Sequence, residues 1–227
     1  CEYCWNLVCC ERNEVKILLL SGSHSRHLYF FSKLLELDAD FSVIAMERET
    51  QLPETPNSVP MRDQQLFTRH FAERFETESQ YFGNPTLRGT FADIPHHFCD
   101  RTELNSLSSV EFVDQMQPDV AIVFGADMVR SPLFESLPDL TINLHLGLSP
   151  WYRGAATLFW PFFFLEPQYA GSTFHQITGN PDAGGILHQS IPSLEPGDGI
   201  HDVAAKTVQN SVDDFCKILR KLLGGGE

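Results

Sequence analysis

The sequence predicts an α/β protein, a Rossmann-like doubly wound sheet of mostly parallel strands, on three observations. Apolar runs from Val15 to Leu20, Phe41 to Met46 and Val120 to Phe124 have the length and continuity of strands buried on both faces. Between them, apolar residues recur at helical spacing. The punctuation is glycine, proline and small polar residues, the residues of tight turns. At 227 residues the chain can bury a sizeable core in one domain. With 42% apolar and 20% charged residues it has a globular composition, not a disordered one.

Taken in order, residues 1–14 read as a cysteine-rich leader and 15–227 as the folded domain. Cys1, Cys4, Cys9 and Cys10 crowd the leader, whereas Cys99 and Cys216 stand alone. Cys1-x-x-Cys4 could be half of a zinc site, but no second pair follows at the usual spacing, so reduced thiols are the simpler reading. After the first strand, Ser21 to Ser25 makes a small-residue turn. Ser23 or Ser25 is placed to cap the helix marked by Leu28, Phe31, Leu34 and Leu35, which would leave backbone N–H groups for an anion. The turn lacks the G-x-G-x-x-G pattern of a dinucleotide site.

The second strand leads through a polar loop, Glu47 to Pro60, into a helix carrying Leu66, Phe67, Phe71 and Phe75, with Asp63 as its N-cap. From Gly83 to Thr102, Pro85, Gly89 and Pro95 argue for irregular structure. His96, His97 and Cys99 there are either a metal cluster or an ordinary loop. Leu107, Val110 and Val113 mark a helix stopped by Pro118. Leu140 to Asn143 is a further strand. The aromatic run Phe159, Trp160, Phe162, Phe163, Phe164 reads as a helix packed in the core. Gly171 to Ile177 and Gly185 to Ile191 read as a strand hairpin, and Ile200 to Leu222 as an amphipathic helix capped by Asp198 and ended by Gly224 to Gly226.

Charge narrows the partners. Thirty acidic against 16 basic residues give a net charge of −14, which repels a phosphate backbone, so nucleic acid is not expected. No apolar run is long enough to cross a bilayer, Leu158 to Leu165 being broken by Pro161, and no signal-peptide pattern opens the chain. The expected location is cytoplasmic.

Three side chains stand out chemically. Asn143 and His145 are two apart at a strand end, so they project from the same face. A turn at Thr178 to Pro181 then delivers Asp182 ahead of Ala183-Gly184-Gly185. An amide, an imidazole and a carboxylate at strand ends and turns occupy the usual place for a site in α/β folds. Metal binding by His145, His175 and Asp182 is the rival arrangement.

The stretch Asn143-Leu144-His145 through Ser149-Pro150-Trp151-Tyr152-Arg153-Gly154-Ala155 resembles the N-x-H and R-G loop of the folate-dependent formyltransferases. The resemblance continues through Gly171-x-x-x-His175 and the D-x-G turn at Asp182. It implies a formyl transferase catalytic domain that uses 10-formyltetrahydrofolate as co-substrate and no metal, with Asn143, His145 and Asp182 as catalytic residues. By the same resemblance, Phe124, Gly125, Ala126, Asp127, Met128 and Val129, with His175, Gly179 and Asn180, would line the folate pocket, and Trp151, Tyr152, Arg153 and Gly154 would meet the acceptor.

Trp151 to Gly154, Phe159-Trp160-Pro161 and Gly197 to Asp202 look most like the sugar-amine N-formyltransferases of surface-polysaccharide biosynthesis. The acceptor so implied is the amino group of a nucleotide-linked sugar. The turn after Gly22 differs from the Gly-Ser-Asn turn of glycinamide ribonucleotide formyltransferases. Alternatives are that enzyme type, the methionyl-tRNA type, or a non-catalytic formyltransferase-like module of a larger protein. A homodimer is one expected assembly.

The chemistry asks for these groups. Formyl transfer to an amine passes through a tetrahedral oxyanion, which positioned donors such as an amide and an imidazolium stabilise. A carboxylate beside the imidazole favours its charged form and can take the amine's proton.

Overall fold

The computed structural model describes residues 15–48, 52–154, 156–179 and 183–223, without the side chain of Leu222. The four amino-terminal cysteines, Ala155, Asn180, Asp182 and Gly224 to Gly226 lie outside the described residues.

Seven strands form one sheet. They are β1 (Lys16–Gly22), β2 (Asp40–Met46), β3 (His96–Cys99), β4 (Val120–Phe124), β5 (Thr141–His145), β6 (Ser172–Gln176) and β7 (Ile186–Ser190). The spatial order is β3-β2-β1-β4-β5-β6-β7. The first five pair in parallel, and β6 and β7 are added antiparallel, as the hairpin reading expected. The strand order reverses between β1 and β4, which opens a crevice at their carboxyl ends.

Helices cover both faces: α1 (Ser25–Leu34), α2 (Met61–Phe82), α3 (Leu87–Thr90), α4 (Leu107–Met116), α5 (Leu133–Ser136), α6 (Trp160–Phe163) and α7 (Ile200–Leu223). Alternate residues of one strand supply opposite cores. In β4, Val120, Ile122 and Phe124 face α1 and α7, while Ala121 and Val123 face α4. The continuous apolar runs of β1, β2 and β4 thus follow from burial on both faces. In α7 the last turn carries Arg220 and Lys221, favourable at a helix carboxyl end.

Several local expectations are corrected. The stretch read as irregular holds α3 and strand β3, which extends the sheet beside β2. β3 is four residues long and only Cys99 is buried, so it has neither the length nor the apolar continuity that marks a strand. His96 bonds to the Ile94 carbonyl and His97 stacks on Phe112. Burial pushes the Cys99 thiol up to about 12, which keeps it protonated at neutral pH. No group of three potential ligands forms among the described residues.

Asp63 lies inside the first turn of α2, whose N-cap is Pro60. His24, not a serine, is the N-cap of α1, and the Ser23 hydroxyl instead accepts from the Arg48 N–H at 3.0 Å. Asp198 does not cap α7. It accepts from the Glu195 N–H at 2.8 Å and pairs with Lys206, while Asp202 takes the Gly199 N–H at 2.9 Å. The aromatic run is also not core: Phe163 is 62% exposed and Phe164 58%, on a helix of only four residues. No helix among the described residues is long and apolar enough to cross a membrane.

Candidate active site

β5 and β6 build the site between them. Their antiparallel register sets Asn143 opposite His175 and His145 opposite Thr173. Ile142, Leu144 and Phe174 alternate with these and point into the core under α1 and α7, so the four polar side chains share the other face. Phe174 is fully buried and stacks on Phe215 of α7 at 4.7 Å. The polar face is therefore anchored by the apolar one.

Hydrogen bonds fix the rings. The Gln176 carbonyl can only accept, so His175 Nδ1 donates to it at 3.0 Å, and His175 Nε2 accepts from Asn143 Nδ2 at 3.1 Å. That sets the plane and the flip of the Asn143 amide. By the same logic His145 Nε2 donates to the Tyr152 carbonyl at 2.9 Å, which fixes the orientation of the ring. His145 and His175 are 7% and 3% exposed, with ring centroids 6.3 Å apart. The two imidazoles and the amide are brought together in a nearly dry setting.

The loop after β5 is shaped around His145. A Cβ on Gly147 would come within 2.9 Å of His145 Nε2 and of the Tyr152 carbonyl, so only glycine lets the loop pass this close. Thr173 Oγ1 donates to the Gly147 carbonyl at 2.7 Å and accepts from the Ser149 N–H at 3.0 Å. Thr157 donates to the Leu146 carbonyl. Sequence reasoning passed over Gly147, Thr157 and Thr173. The alternation that pairs Thr173 with His175 on one strand face was the available signal.

Of the residues expected around the acceptor, Tyr152 is engaged twice. Its carbonyl holds His145, and its hydroxyl donates to Glu166 at 2.6 Å, a bond that pushes the phenol up to about 12. Trp151 is 61% exposed and lies 5.4 Å from Tyr169, and Arg153 and Gly154 are exposed on the same lip.

The expected folate loop divides. The Phe124 side chain lies in the core 4.7 Å from His27 and 5.4 Å from Phe30, so it would offer a ligand only its backbone. Asp127 pairs with Arg101. Burial favours its neutral form, yet Arg101 and the Met128 N–H outweigh that and hold the carboxyl below its usual range. Gly125, Ala126, Met128 and Val129 follow at the carboxyl end of β4, with Met128 47% exposed.

Asp182 and Asn180 lie outside the described residues, but their turn is closed at its base. Gln176 N–H donates to the Gly185 carbonyl at 3.0 Å, and a Cβ on Gly184 would fall 1.7 Å from the Gln176 carbonyl. The glycine of the D-x-G motif is thus required by a backbone crossing, one residue from His175.

The profile of the formyl transferase family matches residues 63–218. The bifunctional polymyxin resistance protein ArnA of Wigglesworthia glossinidia brevipalpis is 31% identical over 121 residues, 53% of this chain and 18% of that protein, so the chain spans under a fifth of this relative's length. The fold is similar to a phosphoribosylglycinamide formyltransferase from Anaplasma phagocytophilum, with TM-score 0.65, 16% identity and coverage of 93% of this chain and 88% of that one. It is also similar to a 4-N formyltransferase from Francisella tularensis, with TM-score 0.56, 18% identity and coverage of 93% and 70%. At such identities the likeness of the structures speaks for the fold alone. The family match covers more than half of the chain, including both strands of the site and both turns beside it, and the chain belongs to the formyl transferase family.

Proposed function

We propose that this protein moves the formyl group of 10-formyltetrahydrofolate onto a primary amine, the amino group of a nucleotide-linked amino sugar. The observation that carries the reading is the placement of Asn143, His145 and His175 on one face of the β5–β6 pair, in a chain of this family.

In the reaction so envisaged, the neutral amine attacks the formyl carbon and the carbonyl oxygen takes up negative charge. Asn143, its amide oriented by His175, and a protonated His145, held through Nε2–H by the Tyr152 carbonyl and donating from Nδ1–H, supply the donors for that oxyanion. The new C–N bond forms as the bond to folate N10 breaks. The attacking nitrogen loses a proton to Asp182, directly or through water, and Asp182 passes that proton on to N10, which leaves as the secondary amine N–H. No step uses a metal. The burial of both imidazoles favours this scheme, because fixed donors act most strongly where water is scarce.

The sugar acceptor is supported by the motifs at Trp151 to Gly154 and Gly197 to Asp202, and an amine acceptor agrees with the likeness to a 4-N formyltransferase. The test is turnover of 10-formyltetrahydrofolate with a panel of amino-sugar nucleotides and with glycinamide ribonucleotide as control, formylated product being read by mass. Asp182→Asn keeps the shape but cannot accept a proton, so it should all but abolish transfer while both substrates still bind. Transfer by Asp182→Asn at a rate close to the parent's would remove Asp182 from the chemistry. Folate binding without transfer to any amine would favour a binding module instead.

A further inference from the structure

Helix α6 is apolar on both sides. Its inward side is used: Pro161 is buried, and Phe162 packs with Leu158, Ala170 and Val203. Its outward side carries Phe159, Trp160, Phe163 and Phe164, which are 36%, 39%, 62% and 58% exposed. Phe159 stacks on Phe163 at 5.9 Å and Trp160 on Phe164 at 6.0 Å, so the four rings form two rows at a spacing of four residues. Trp160 meets Phe163 edge-on at 5.7 Å and ties the rows together. A helix that is apolar all round is normally enclosed on every side, and this one is not.

The flanks of these rows are polar and engaged. On one flank Phe159 meets His70 edge-on at 5.8 Å, on the wall of a cleft between α2 and α7 that Leu146 and His201 also line. In that cleft Arg26 and Arg74 lie 2.8 Å and 3.8 Å from one oxygen of Glu78, so these charges face one another. On the other flank Glu166 accepts from the Tyr152 hydroxyl, and Trp151, 61% exposed, lies 5.4 Å from Tyr169.

Two observations bear on what covers the rows. The first is area. At about 150–250 Å2 for a whole ring residue, the exposed parts of the four rings, Leu165 and Trp151 come to about 700 Å2. That exceeds the largest apolar patch of a typical monomer, about 300–600 Å2, and comes near the about 800 Å2 that each partner gives to a specific interface. The second is backbone. Leu165 has a φ of 58°, in the left-handed region where a bulky residue is an outlier, and its side chain is 87% exposed. A large apolar side chain is thus kept where glycine would fit more easily and where the single chain gains little from it.

We propose that the outward face of α6 is the interface of a symmetric dimer of this chain. Two rows of rings with a groove between them match their own copy under a two-fold axis, a row of one chain lying in the groove of the other, as ridges at a spacing of four pack between helices. The rings and Leu165 carry no charge, so the face calls for no oppositely charged partner. The net charge of −14 sets the molecule against an anionic membrane.

The test is sedimentation equilibrium of the whole chain across micromolar concentrations, at low and at high salt. The parent should pass from monomer to dimer in that range. Salt should tighten the dimer, because each copy carries −14 and screening removes the repulsion between them. Phe163→Glu sets like charges close to the two-fold axis and should weaken the dimer by about 100-fold or more, with the melting temperature of the dilute monomer unchanged. Leu165→Gly relieves the left-handed backbone, so the dilute monomer should melt no lower than the parent while the dimer weakens by about 10-fold. A folding defect cannot give that pair of results. A parent chain that stays monomeric at every concentration and salt overturns the proposal. So does a dimer that both variants leave unchanged, which would place the interface elsewhere. A monomer that sediments with neutral phosphatidylcholine vesicles overturns it in favour of a lipid surface. None of these readouts involves folate or an amine, so the result stands apart from the formyl-transfer reading.

Discussion

The β5–β6 pair and the α2–α7 cleft meet at Leu146, and they are built on opposite plans. On the strands, His145 and His175 are buried, and each has a ring nitrogen bonded to a main-chain carbonyl. In the cleft, His70 and His201 are partly exposed, and His201 Nε2 has no hydrogen-bond partner among the described residues. The strands hold a few groups in one geometry, as a transition state demands. The cleft offers rings and charges on long side chains, which can adjust to a ligand. On the proposed reading, the first region would carry the reaction.

The largest expected effect would break this division from below. Phe174→Ala empties a fully buried ring site between β6 and α7 and should cost about 3–5 kcal/mol of stability, measured by urea unfolding. Thr173 and His175 flank Phe174, so kcat should fall as well. An unchanged kcat would mean that the polar face keeps its geometry without the buried ring.

Next in size, His145→Ala and Asn143→Ala should each lower kcat by about 100-fold, equivalent to about 2.7 kcal/mol, with folate affinity and melting temperature close to the parent's. An unchanged kcat in either variant would strike that residue from the site.

A smaller effect comes from the border of the cleft. Burial first, then Arg26, Arg74 and Arg48, lower His24 from 6.5 to about 3. The unfolded chain takes up a proton on this ring near pH 6.5 and the folded chain does not until about pH 3. The unfolded state therefore binds more protons in this window, and stability should be full above pH 6.5 and fall as the pH drops towards 3. His24→Asn should flatten that slope in urea midpoints measured against pH, and a slope unchanged by the substitution would assign it to other groups.

The smallest effect should come from Tyr152→Phe. It removes the bond to Glu166 but keeps the carbonyl that holds His145, so kcat should stay within about threefold of the parent. A larger loss would show that the phenol itself meets the substrate.

Much of this was legible in the sequence. The buried strands β1, β2 and β4 announce themselves by unbroken apolar runs, and the hairpin of β6 and β7 by its turn. Asn143 and His145 were readable because a strand alternates with a period of two. β3 was not, because a short edge strand with exposed histidines has no apolar run. The capping roles of Asp63 and Asp198 were misread because a side chain near a helix start has several N–H groups and cations within reach, and sequence does not rank them. The exposed aromatic run misled for a related reason: ring residues favour cores on average, but a four-residue helix has no inner face wide enough to hide five of them. The Arg26–Glu78–Arg74 cluster joins residues 52 apart in the chain, which no local pattern signals.

That cluster bears on how fast an anion could arrive. The molecule as a whole is negative, but salt screens that charge beyond about 8 Å, the screening length at physiological ionic strength, so an anionic ligand meets the repulsive field only on close approach. Only then does the pair of guanidinium groups take over. Added salt would weaken the hold of the cleft while easing the approach, so association rate and equilibrium affinity would respond to ionic strength with opposite signs.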